Sequence, residues 1–203
     1  MAAAWAAEAV PPDAGRLGCL PQSIAFGGGF PTQENKLGFG DRGWKQLTGW
    51  ATLEGQILRR RHFTPAVLER IAQRISECER SHTGELMLAI EAVSPGHEPD
   101  SHARALEVFG KLRVWDTPQN TGVLLYLALD RHRIELIADR GIAASNDEWE
   151  TVSRRLQQSL RQGAYVDGML AAVEDIEQIC ERYCPPLDVA DNTNELPDRP
   201  VLL

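Results

Sequence analysis

The sequence predicts an α/β fold: a three-layer α/β/α sandwich around a short mixed sheet that contains one β-hairpin. Three observations carry this. Residues 86–90 (LMLAI) and 123–129 (VLLYLAL) are continuous apolar runs of strand length, the pattern of strands buried on both faces. Residues 133–138 (RIELIA) alternate after the short polar turn 130–132 (DRH), the pattern of a returning hairpin strand. The segments between and around them repeat apolar residues at helical spacing.

The elements follow in order from Phe63. Thr64 is placed to N-cap a helix whose first position is Pro65, where the missing N–H costs nothing. Val67, Leu68, Ile71, Ile75 and Cys78 mark its apolar face, and the helix ends near Ser81 ahead of Gly84. The first strand, 86–90, leads into the loop 94–100 (SPGHEPD). Asp100 or Ser101 caps a second helix carrying Leu106, Phe109 and Leu112. A helix joining two strands makes them parallel through a right-handed crossover. The hairpin 123–138 comes next, and Gly141 breaks it. Ser145, with Glu148 three residues later, is a capping-box pattern for a third helix marked by Trp149, Val152, Leu156 and Leu160 and stopped at Gly163. Met169, Val173, Ile176, Cys180 and Tyr183 mark a fourth, ended by Pro185 and Pro186. Doubly apolar strands require helices over both faces.

The chain therefore divides into an extension, 1–62, a folded domain, 63–183, and an extended polar tail, 184–203. Ten of the 17 glycines and four of the 12 prolines lie in the extension, where no apolar period persists, so it is expected to be flexible. Gly27-Gly28-Gly29 lacks the entering strand and the closing Gly-Lys-Ser/Thr of a phosphate loop. Trp44 and Trp50 are candidates to dock on the domain. The cluster Arg59-Arg60-Arg61-His62 is read as a solvated linker, with anionic lipid or an acidic partner as the competing reading.

Composition narrows the function classes. Lys plus Arg number 21 against 29 Asp plus Glu, a net charge of -8, which argues against a general nucleic-acid binder. The extension carries seven basic and five acidic residues, so the remainder holds -8 minus 2, or -10. No run of about 18 uncharged apolar residues exists for a transmembrane helix. Four cysteines, Cys19, Cys78, Cys180 and Cys184, are too sparse for a disulfide framework. They are read as buried or free thiols in a reduced, cytoplasmic protein.

Strand order gathers polar residues at one sheet end. The hairpin turn lies at 130–132, so the start of its first strand adjoins the end of its second. Parallel pairing brings Glu85 to that same end. Glu85, Asp116, Asn120, Thr121, Asp139 and Arg140 are expected to converge there, with Asn146 and Asp147 at the nearby helix start. Such oxygen donors suit a hard cation, Ca²⁺ or Mg²⁺. Loop capping with a salt bridge at Asp139 is the alternative. Asp130 and His132 fall at the opposite end as turn residues.

Several segments together resemble one family. They are Thr83-Gly84-Glu85 entering a strand, Asn120-Thr121-Gly122-Val123-Leu124-Leu125, Asp130-Arg131, Ala138-Asp139-Arg140-Gly141, and Arg161-Gln162-Gly163-Ala164-Tyr165-Val166-Asp167-Gly168. In order and spacing this pattern resembles the TPM-domain family over about residues 63–183. The resemblance implies an α/β/α sandwich. The family includes a thylakoid-lumen protein of photosystem II repair with acid phosphatase activity, a nematode regulator of acetylcholine receptors, and many bacterial proteins. Some members bind divalent metal at the polar sheet end. Members commonly have Asp-Asn-Gly where this chain has Asn120-Thr121-Gly122, so one carboxylate of the implied site is missing. The chain is similar to a soluble bacterial branch whose tail reads Asn194-Glu195-Leu196-Pro197-Asp198-Arg199-Pro200.

Two functions are expected from this. One is an accessory or interaction module, acting on another protein or a membrane-associated complex, with a weak Ca²⁺ or Mg²⁺ site at Glu85, Asp116, Asn120 and Asp139 and no organic cofactor. The other is a metal-assisted acid phosphatase with Glu85, Asp116 and Asp139 as catalytic candidates, Arg140 taking phosphate oxygens in a fork, and Asn120 and Thr121 as further binding residues. The sequence favours the module. No Ser/His/Asp or Cys/His set falls at one sheet end, and His82 is the only histidine near it.

Overall fold

The computed structural model describes residues 22–25, 50–186 and 196–203. Its elements are β1 (Gln22–Ala25), α1 (Trp50–His62), α2 (Pro65–Cys78), β2 (Glu85–Glu91), α3 (Ser101–Lys111), β3 (Gly122–Ala128), β4 (Arg133–Ala138), α4 (Asn146–Arg161), α5 (Tyr165–Tyr183) and β5 (Val201–Leu202). The strands form one mixed sheet in the order β1-β4-β3-β2-β5. β2 and β3 are parallel, with Glu85 opposite Gly122 and Glu91 opposite Ala128. β3 and β4 form the antiparallel hairpin, with Val123 opposite Ala138 and Ala128 opposite Arg133.

Side-chain alternation on these strands sorts the core into two layers. Leu86, Leu88 and Ile90, with Val123, Leu125, Leu127, Ile134 and Leu136, face α2, α4 and α5. Met87, Ala89, Leu124, Tyr126, Ala128 and Ile137 face α3, where Ala105, Val108 and Phe109 meet them. This is the expected three-layer sandwich. Its local signals act as read: Thr64 Oγ1 accepts from Val67 N at 3.4 Å ahead of Pro65, and Asp100 Oδ1 accepts from His102 N at 3.0 Å. Gly163, at φ 78°, closes α4 with bonds from Gly163 N to Leu160 O and from Ala164 N to Ser159 O, a left-handed cap that only glycine enters freely.

Two regions differ from the sequence reading. The extension 1–62 contains β1, paired antiparallel to β4 with Gln22 opposite Ala138, and α1. α1 escapes a periodicity search because the face it turns to the domain is small. Ala51 and Gly55 are buried, and Gly55 lies so close to Ala92 O that a Cβ would be 1.9 Å from it. Trp50, a docking candidate, is 67% exposed. Gly27-Gly28-Gly29, Trp44 and Cys19 lie outside the described residues. At the other terminus, the expected tail is anchored: Leu196 is buried in the α3-side core, and β5 pairs parallel to β2, with Val201 opposite Ala89. An apolar chain end thus covers the backbone edge that β2 would otherwise present to solvent.

Candidate functional site

The polar end of the sheet is built around Asp139, the first residue after β4. Its N–H donates to Gly122 O at 2.9 Å, which carries the ladder one residue further and points the carboxylate to the α3 side of the sheet. The approach to β3 turns sharply, with Asn120 in the left-handed region at φ 57°. Gly141 then fits against that turn. It donates to Asn120 O at 2.8 Å, and a Cβ there would lie 2.2 Å from Gln119 O and 2.5 Å from Asn120 O. A residue without a side chain is what admits two carbonyl oxygens at this spot.

Asp139 is only 5% exposed. Its Oδ1 accepts from Arg140 N at 2.7 Å, while its Oδ2 is buried with no hydrogen-bond partner among the described residues. Burial raises its pKa above the ordinary aspartate value, against the opposing pull of the Arg140 N–H and the Arg140 charge. The exposed Arg140 reaches back to Asn120, NH2 to Oδ1 at 3.1 Å. Carboxylate, amide and carbonyl oxygens at one corner are the donor types a hard cation takes, and a single carboxylate makes such a site weak. Among the described residues no group of three or more His, Cys, Asp or Glu side chains is disposed to hold a metal.

The other expected residues go elsewhere. Glu85 and Asp139 both face the α3 side but flank Gly122 on β3, about 10 Å apart for two strand spacings. The space above Gly122 is filled by chain: a Cβ there would sit 1.9 Å from Val114 O. Glu85 instead accepts the N–H of Leu196 at 2.5 Å, anchoring the C-terminal segment. Thr121 is buried and structural, with Oγ1 donating to Thr83 O at 2.6 Å and N donating to Thr117 Oγ1 at 2.9 Å. Asp116 is exposed on the loop, where its N–H donates to Arg113 O at 2.9 Å. The structure thus brings Asp139, Asn120 and Arg140 together, engages Glu85 and Thr121 with other partners, and does not gather Glu85, Asp116 and Asp139 into one metal-holding group.

Residues 60–179, 120 of the 203, match the family model of the TPM domain. The chain belongs to the TPM-domain family. Among solved structures, it is similar to the NMR structure of the BA42 protein from the psychrophilic bacterium Bizionia argentinensis. The TM-score is 0.62 and the identity 27%, over 69% of this chain and 94% of that one. No curated protein matches the chain.

This TPM domain also buries charged groups that sequence reasoning missed. His82 Nε2 lies 2.6 Å from Glu177 Oε2, with both side chains almost wholly enclosed. Burial raises the Glu177 pKa, and His82 opposes that shift. The available signal was the position of Glu177, between Val173, Ile176 and Cys180 on the apolar face of α5. Close by, Glu79 Oε1 accepts from Leu86 N at 2.8 Å, and burial pushes its pKa up to about 9. At the hairpin-turn end, Glu91 accepts from Tyr126 OH and, at 2.7 Å, from Arg104. Glu135 lies 3.3 Å from His102 and is pushed up to about 8 by burial. Asp130 behaves as the turn residue expected, accepting from Ser94 N and Oγ at 2.9 and 2.7 Å. Of the cysteines described, Cys180 and Cys184 are buried and Cys78 is partly so, all as free thiols.

Proposed function

We propose that this TPM domain is an accessory module that holds a divalent cation of the Ca²⁺ or Mg²⁺ type weakly at Asp139 and Asn120, so that the loop 112–121 and the start of α4 present a cation-dependent surface to a protein partner. The buried, unpartnered Oδ2 of Asp139 carries this reading. An ionised carboxylate is costly in that position, and a cation at the same corner would offset the cost. Arg140 is the resident counter-charge, and binding requires it to release Asn120 Oδ1. Because burial raises the Asp139 pKa, a proton competes with the cation for this carboxylate, and binding weakens as pH falls.

Metal-assisted phosphate-ester hydrolysis has one observation in its favour. The exposed Arg140 guanidinium stands beside Asp139 and can take phosphate oxygens in a fork. Against it, the three candidate carboxylates do not meet: Glu85 holds Leu196 and Asp116 is in solvent. A well-held ion and an activated water need more ligands than Asp139 supplies.

An NMR titration of backbone amides with Ca²⁺ and Mg²⁺ tests the module. Shifts should cluster at residues 119–122 and 139–142, with a Kd on the order of 10⁻⁴–10⁻³ M, and Asn120→Asp should tighten binding by adding a carboxylate. Residues 84–85 should stay still. Shifts that survive Asp139→Asn would defeat the assignment. A metal-dependent rate on a generic phosphate ester, abolished by Asp139→Ala, would favour the hydrolase.

A further inference from the structure

α1 turns its large apolar side chains the wrong way for a core helix. Trp50, Leu53 and Ile57 are 67%, 59% and 58% exposed, and they are three of the six exposed large hydrophobic side chains among the described residues. At 100° per residue the three fall within about 60° of one another around the helix. Ala51 and Gly55, which are buried, and Leu58, which packs on the core, lie on the opposite side. The stripe is therefore convex and points away from the domain. In the next turn the exposed Arg60 and Arg61 flank it, one on each side. Glu54, the only acid of α1, is turned to His132, 3.6 Å away. A chain of net charge -8 thus carries one face that is both apolar and cationic.

We propose that α1 is an interfacial helix: Trp50, Leu53 and Ile57 insert at the headgroup boundary of an anionic lipid surface, and Arg60 and Arg61 engage its phosphates. Charge selects this occupant. Two arginines flanking an apolar stripe match a sheet of anionic headgroups over acyl chains, and tryptophan suits that boundary because its ring is amphipathic. The helix is 13 residues long, about 20 Å, and lies flat on such a surface without spanning it. Three apolar side chains and two arginines give reversible attachment rather than permanent anchoring.

The test is co-sedimentation of the full chain with large unilamellar vesicles of phosphatidylcholine containing about a third phosphatidylserine, against phosphatidylcholine alone. Binding should require the anionic lipid and fall steeply in about 0.5 M salt. Ile57→Asp and Leu53→Asp, both at exposed positions, should each weaken it roughly tenfold or more. Arg60→Gln and Arg61→Gln should each weaken it roughly fivefold. Circular dichroism melts should overlay for all four variants. The proposal is overturned if the full chain stays in the supernatant with anionic vesicles, or if both aspartate variants bind like the parent. It is equally overturned if sedimentation equilibrium shows a dimer that Ile57→Asp dissolves, since the stripe would then be an interface between two copies.

Discussion

Replacing Glu79 with glutamine should change how stability depends on pH more than it changes stability itself. Glu79 follows α2, and its Oε1 accepts from Leu86 N at 2.8 Å, so the side chain ties the end of that helix to the start of β2. Burial is the main reason its pKa is pushed up to about 9; the Leu86 N–H opposes the shift, while the charges of Glu177, Asp198 and Glu85 add to it. A carboxyl that is neutral when folded but ionised when unfolded favours the fold fully only below the unfolded pKa. Its contribution is then lost as pH rises toward the folded value. Each pH unit in that window costs about 1.36 kcal/mol, so between pH 5 and pH 8 the protein should lose about 4 kcal/mol through this one group. Glutamine keeps the acceptor for Leu86 N and does not titrate. Urea unfolding of both proteins at half-unit steps from pH 5 to pH 8 isolates the effect, because other titrating groups cancel in the difference. Glu79→Gln should gain about 3–4 kcal/mol on the parent across that window. Difference curves flat to within about 0.5 kcal/mol would show that the carboxyl is ionised in the folded protein, and the argument from its burial would fail.

Three further outcomes can be measured. Asp139→Asn should raise the midpoint of unfolding at pH 7 in chelator, because it removes a desolvated charge, and should erase any midpoint gain on adding Ca²⁺ or Mg²⁺. Gly122→Ala should cost roughly 1–3 kcal/mol in urea unfolding, since its Cβ meets the Val114 carbonyl and neither backbone can move freely. Leu125→Asp should cost several kcal/mol and send the protein to the insoluble fraction, because Leu125 is fully buried in β3; a soluble protein with an unchanged melt would remove β3 from the centre of the sheet.

The sheet was legible where local pattern and burial agree. β3 is apolar at every position because helices cover both of its faces, and β4 alternates with the hairpin, so the pairing of Val123 with Ala138 follows from the turn position alone. β1 was not legible, since four residues, QSIA, gain their strand character only from a distant partner in β4. α1 was hidden for the opposite reason: Trp50, Leu53 and Ile57 face solvent, Leu58 is the one large apolar residue packed on the core, and the buried positions are alanine and glycine. In the candidate site, the position of Asp139 and Asn120 was readable from strand order. The exclusion of Glu85 was not. It depends on Val114 crossing over Gly122, a close approach that one glycine permits but does not announce.

The two faces of the sheet divide the work unequally. α2, α4 and α5 cover one face, and every strand side chain in that core is apolar. The other face has the single 11-residue helix α3, and all the acids of the central strands sit on it: Glu85, Glu91 and Glu135, with Asp139 continuing the alternation. A layer one helix wide leaves the strand ends near water, which makes carboxylates tolerable there if their oxygens are met. Three of the four are met: Glu85 by Leu196 N, Glu91 by Tyr126 and Arg104, and Glu135 by His102. Those contacts hold the C-terminal segment and α3 against the sheet. Asp139 differs in having one oxygen satisfied by its own neighbour's N–H and the other by no described residue. An acid on this face serves packing when a donor from another element reaches it. The one that no other described element reaches is where the proposed cation would contribute, and that separates Asp139 from Glu85 although both face the same side.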